Sequence, residues 1–135
     1  MNHRILLAMP GQRREKLVHL LGHHGLDVSL ASTSIEARQK LTAPHPYELL
    51  LVDAELPDGS WRDLIPLLVS SNPPCEMVVC SRTGDERLWA EVIQCGAFDL
   101  IAEPYEQQEV IRILQSALEG QYMRQFRGQA QARAS

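Results

Sequence analysis

Apolar residues enter this chain in short blocks, each followed by a stretch in which they recur every three or four positions. Arg4 to Met9 is the first block, closed by Pro10-Gly11. Gln12 to His24 then places Leu17, Leu20 and Leu21 on one helical face, with His24 next on it and Gly25 supplying the residue type that ends helices. Leu26 to Ala31 alternates as a strand does. Thr33 and Glu36 have the spacing of a capping box for a helix through Ala37 and Leu41, stopped before Pro44. Glu48 to Asp53 contains the unbroken run Leu49-Leu50-Leu51-Val52, the mark of a strand buried on both faces. Ser60 with Asp63 opens a helix that Pro66 should kink or shorten, ended by Asn72-Pro73-Pro74. Met77 to Cys80 is a fourth strand with Ser81 at its end, and Asp85 begins a helix carrying Leu88, Val92 and Cys95 to Gly96. Phe98 to Ala102 is the fifth strand. Beyond Pro104, Val110, Ile113, Leu114, Ala117 and Leu118 trace the clearest helix, ended by Gly120.

Strictly alternating strands and helices imply right-handed crossovers and one parallel sheet covered on both faces. The expected fold is therefore α/β: a flavodoxin-like, doubly wound (βα)5 three-layer sandwich with sheet order 2-1-3-4-5. Residues 1–120 form that domain. Residues 121–135 turn to Gln, Arg, Ala and Gly, and are expected as a basic C-terminal tail or an extension of the last helix.

At 135 residues, 44% hydrophobic and 22% charged, the chain has the make-up of one ordinary soluble domain. It has no apolar run near the ~18 residues that span a bilayer and no secretory leader, so the expected location is cytoplasmic, with no membrane partner. Residues 1–120 carry a net charge of −7 and residues 121–135 a net of +3, so the body has no footprint for direct nucleic-acid binding. Cys75, Cys80 and Cys95 form no CxxC pair and read as reduced thiols rather than a disulfide or metal site. His19 and His23 stand four apart but lie opposite the leucine face of their helix, and a third zinc ligand cannot be identified. Pro10-Gly11 lacks the glycines of a nucleotide-phosphate loop.

Asp53 is where chemistry concentrates. It closes a strand that reads as buried on both faces, beside the switch point of the sheet, where ligands of such folds collect. Its residue type also suits a plain turn cap. With Leu56-Pro57-Asp58-Gly59 following it, Ser81 ending the fourth strand, Cys95-Gly96-Ala97 closing the fourth helix and Glu103-Pro104 ending the fifth strand, residues 4 to 119 resemble the receiver domain of two-component response regulators. The resemblance implies a signalling module rather than an enzyme, with Asp53 as acceptor of a phosphoryl group from a sensor histidine kinase. It also implies Mg2+ held by two acidic residues ending the first strand, Ser81 as a phosphate contact, and a lysine before the proline of the fifth strand. Partner docking and homodimerisation would use the fourth helix, fifth strand and fifth helix, a surface that takes in Arg87, Glu91, Glu106, Arg112 and Gln115.

Four of the positions that the resemblance makes important carry other residues. The acidic pair falls on Ala8 and Met9, and no Asp or Glu occurs before residue 15. The lysine falls on Glu103, which repels a phosphoryl group where the family attracts it. The switch aromatic falls on Leu100. Only Asp53, with Glu55 beside it, is left to hold a metal that prefers several oxygen ligands. Two carboxylates facing one pocket without a metal should raise the proton affinity of at least one. Arg82, next to Ser81, has three readings: an exposed loop residue, an ion pair over Asp53 or Glu103, or a substitute phosphate ligand. The expected function is thus a receiver-type module with weak or no metal-dependent phosphorylation, acting through protein contacts. The alternatives are a working phosphoswitch, and a flavodoxin-like ligand-binding protein or enzyme.

Overall fold

The computed structural model describes residues 3–42, 44, 46–69 and 75–119. Strands β1 (Arg4–Ala8), β2 (Asp27–Ala31), β3 (Leu49–Asp53), β4 (Glu76–Ser81) and β5 (Asp99–Ala102) alternate with helices α1 (Glu15–His23), α2 (Ser34–Thr42), α3 (Ile65–Val69), α4 (Glu86–Gln94) and α5, residues 107–119. All four strand pairings are parallel, in the order β2-β1-β3-β4-β5. The doubly wound arrangement expected from the hydrophobic pattern is the one found. The C-terminal tail, Gly120 as a helix end and the Asn72-Pro73-Pro74 stop lie outside the described residues.

Strand alternation divides the core into two layers. Leu6, Ala8, Leu50, Val52, Met77 and Val79 face α2, α3 and α4, packing with Ala37, Leu41, Leu64 and Val92. Ile5, Leu7, Leu49, Leu51, Val78 and Cys80 face the other way, onto Leu17 and Leu21 of α1 and Val110, Ile113, Leu114 and Ala117 of α5. Every residue of β3 is buried, as a central parallel strand requires.

Helix ends follow local chemistry, with two departures from the pattern in the sequence. Gly25 and Gly96, at φ of 72° and 98°, close α1 and α4 as expected. Asp85 caps α4 by accepting from the Arg87 N–H at 2.7 Å. Ser60 and Asp63 do form a capping box, but the segment they open, Trp61–Leu64, is a 3-10 turn that only becomes α-helical at Ile65. The Thr33–Glu36 box is half made: Thr33 Oγ1 accepts from the Glu36 N–H, while the Glu36 carboxylate turns to the Ser32 N–H. The remaining N–H groups of α2 are met from a distance. Asp58, in the loop after β3, accepts from Ser34 at 2.6 Å and Ile35 at 3.1 Å. That capping carboxylate ties the β3–α3 loop to α2.

Candidate functional site

The strands of a parallel sheet all end at one edge, and three of these ends bring the candidate residues together. Asp53 closes β3 opposite Cys80, Ser81 closes β4 opposite Ala102, and Glu103 follows β5 with its N–H on the Ser81 carbonyl at 2.9 Å. The Glu103–Pro104 peptide is cis. On the other side, β1 leads through Met9 into a tight turn in which the Arg13 N–H donates to the Pro10 carbonyl at 3.0 Å. That turn carries the Arg13 side chain over the end of β3.

Arg13 is the residue around which the site is built. Its Nη1 donates to both oxygens of Asp53, at 2.7 and 2.5 Å, and its Nη2 donates to Glu103 Oε1 at 3.4 Å. Asp53 is fully buried and the Arg13 side chain keeps 11% of its surface, so this pair is shielded from water. The Glu55 N–H adds a third hydrogen bond to Asp53 Oδ1 at 3.0 Å, while the Glu55 side chain is exposed. Burial pushes the Asp53 carboxyl above its ordinary value, against the downward pull of the Glu55 N–H and the Arg13 cation. Burial works to lower Arg13, yet it stands above its ordinary value because the negative charge of Asp53 holds the proton on. Desolvation falls hardest on the more buried member, so only the carboxyl shows its cost.

The other expected residues take distinct places. Ala8 and Met9 are buried apolar side chains. Ser81 is buried at the end of β4, its Oγ accepting from the Thr83 N–H at 3.2 Å. Arg82 is exposed and makes no hydrogen bond or ion pair among the described residues, so the cation over Asp53 and Glu103 is Arg13, not Arg82. Arg82 follows the last residue of β4 and stands in an exposed bend, outside the strand that buries Ser81. His19 and His23 are exposed, and no group of three or more His, Cys, Asp or Glu among the described residues could hold a metal ion. Cys75 and Cys80 are buried free thiols, Cys75 pushed up to about 12 by burial, and Cys95 is partly exposed.

Arg13 was open to detection. It lies four residues before Leu17 and eight before Leu21, so the buried face of α1, continued back one turn, passes through it. A cation on that line, in a stretch without acids, is the complement that a buried carboxylate needs.

The donor set does not fit the divalent metal that the resemblance implies. The two positions for its carboxylates are buried hydrocarbon, and both oxygens of Asp53 are already engaged by a guanidinium. Magnesium holds near-octahedral oxygen coordination and seldom does so without a free carboxylate.

Comparison with known proteins agrees with the architecture. Residues 12–115 match the response regulator receiver domain family. The chain is 31% identical over 105 residues to the response regulator protein PilR of Pseudomonas aeruginosa, covering 78% of this chain and 23% of PilR. It is 27% identical over 84 residues to the chemotaxis protein CheY of Thermotoga maritima, covering 62% of this chain and 69% of that one. The chain thus spans about a quarter of PilR's length and most of CheY's. Among solved structures, a CheY-like response regulator receiver domain protein from Methanospirillum hungatei superposes with a TM-score of 0.78 at 18% identity, over 92% of this chain and 99% of that one. The receiver domain of HemR from Leptospira biflexa gives 0.73 at 24%, over 87% and 94%. These structural likenesses bear on the fold, and the sequence match bears on the family. With its β2-β1-β3-β4-β5 sheet and Asp53 at the end of the central strand, this chain belongs to the response regulator receiver domain family.

Proposed function

We propose that this chain is a two-component receiver module whose phosphoacceptor position is locked in an ion pair, so that it signals through protein contacts without metal-dependent phosphorylation of Asp53. The observation that carries the reading is Arg13 Nη1 on both oxygens of a fully buried Asp53. Phosphoryl transfer to a carboxylate needs a free oxygen lone pair aimed at phosphorus and positive charge on the phosphoryl oxygens. Here three hydrogen bonds occupy most of the carboxylate's roughly four lone-pair sites, and the group is fully buried. Releasing them would strip a buried anion of its cation, and an incoming phosphoryl group would still meet Glu103 instead of a lysine. Arg13 takes over from both the metal and the lysine as the charge that balances Asp53.

The partners of such a module are a sensor histidine kinase or another signalling protein, met in the cytoplasm. No helix among the described residues is long and apolar enough to cross a membrane. On α4, Trp89 and Ile93 are exposed apolar side chains next to Arg87, which favours the α4–β5–α5 side as the surface for a partner or a second copy. The test is intact mass after incubation with Mg2+ and acetyl phosphate. The expected result is the unmodified mass. A gain of about 80 Da that disappears in Asp53→Asn would overturn the locked-site reading in favour of a working phosphoswitch.

A further inference from the structure

The outer stripe of α1 carries two imidazoles that the ion pair at the sheet edge does not use. His19 and His23 stand four residues apart in one helix, which sets their Cβ atoms about 5–6 Å from each other on one face. Both are exposed, and neither makes a hydrogen bond or ion pair among the described residues. They border the same shallow cleft of about 370 Å³, between α1 and the start of α5, together with Lys16, Leu20, Tyr105 and Gln107. His24 is already engaged, its Nε2 standing 2.8 Å from Gln107 Nε2 in a hydrogen bond. The His23 ring packs edge-on against His24, with centroids 5.7 Å apart and planes at 86°. One of the two open imidazoles is thus steadied by a tethered neighbour.

We propose that His19 and His23 form a chelating site for a divalent late transition metal of the Cu2+ and Ni2+ class, with water completing its coordination. A closed zinc site takes four protein ligands and a catalytic one takes three, and this stripe offers two imidazoles. Cu2+ and Ni2+ favour tetragonal coordination by nitrogen and oxygen, which two imidazoles and solvent satisfy, and Cu2+ stands highest in the affinity order for such ligands. Mg2+ prefers oxygen donors, so the pair discriminates against it. Glu15, one turn before His19 on the same stripe, sets a carboxylate against the opposing charge of Lys16. The two imidazoles act as one chelate: once the first has bound, the second is held at high local concentration. Neither Asp53 nor Glu103 lines this cleft, so binding here does not depend on the state of the phosphoacceptor position.

The experiment is a 1H–15N NMR titration of the full chain with Cu2+, carried out in a His3→Ala background so that this other exposed imidazole does not compete. Paramagnetic broadening at sub-stoichiometric Cu2+ should appear first at the amides of His19, Leu20 and His23, and calorimetry gives the affinity. Either His19→Ala or His23→Ala should weaken binding about a hundredfold, the loss of the chelate. Adding Gly22→His to His23→Ala should restore it: a residue three positions from His19 shares its face, and a Cβ added at Gly22 meets nothing within 4 Å. Broadening centred elsewhere would overturn the proposal. So would single variants that bind as tightly as the background protein, or a Gly22→His variant that fails to recover the affinity.

Discussion

Replacing Arg13 with Gln leaves Asp53 buried with one hydrogen bond, from the Glu55 N–H, in place of three. Breaking a buried ion pair by removing one partner costs about 3–5 kcal/mol. The surviving Glu55 contact and the carboxyl's freedom to take up a proton place Arg13→Gln near the lower end, about 3 kcal/mol at neutral pH, or a fall in Tm of about 10 °C. The pH dependence gives a sharper signature. The Asp53 carboxyl already stands above its ordinary value, and losing Arg13 removes two of the influences that lower it. A folded-state pKa raised above the unfolded one gives stability that is full below the unfolded value and is lost as pH rises through the folded value. The cost of Arg13→Gln should therefore shrink as pH falls from 7.5 toward the carboxylate range. Urea unfolding followed by fluorescence suits the measurement, because Trp61 is buried in the core. In a double-mutant cycle with Asp53→Asn, the coupling between the two sites should exceed about 1.5 kcal/mol. Additive single effects, or a cost for Arg13→Gln that does not change with pH, would refute the reasoning.

The remaining predictions concern the loop and the thiols. A Cβ added at Gly59 would stand 3.1 Å from Ser34 Oγ and 3.2 Å from Asp63 Oδ2, so Gly59→Ala should cost about 1 kcal/mol in urea unfolding. Asp58→Ala should lower Tm and speed amide exchange at Ser34 and Ile35, the two N–H groups it accepts from. Hydrogen bonds from the Ser34 and Ile35 N–H groups hold the Asp58 carboxyl below its ordinary value; its contribution is present above that value and lost as pH falls through the depressed one, so the gap to the parent should close in acid. A thiol reagent at mildly alkaline pH should label Cys95 rapidly in the folded protein and reach Cys75 and Cys80 only on unfolding, as read by mass.

The fold was legible because its signals are local and repeated. The run from Leu49 to Val52 needs a covered parallel sheet, and Gly25 and Gly96 end helices by a conformation that few other residues adopt. What sequence left open were contacts across the chain. Asp58 reads as a turn residue, and its capping of α2, 24 positions away, follows only once the β3–α3 loop is laid over that helix. Arg82 is the neighbour of Ser81 in sequence, but β4 ends at Ser81 and the chain bends there, leaving Arg82 exposed. Arg13, 40 positions from Asp53, is placed by the turn after β1 and by the register of β1 against β3, neither of which local pattern specifies. The residue types at Ala8, Met9 and Glu103 were visible in the sequence. The pairing of Arg13 with Asp53 and Glu103 was visible only as geometry.

The central claim is that a guanidinium stands where the family places a metal, and Mg2+ itself tests it most directly. With the amides of Asp53, Ala54 and Glu55 assigned, Mg2+ should be titrated to about 20 mM at constant ionic strength, a range that would reveal weak carboxylate coordination. These resonances are predicted to stay in place in the parent protein. A saturable shift confined to them, with release of the Arg13 side-chain signal from its hydrogen-bonded position, would contradict the account.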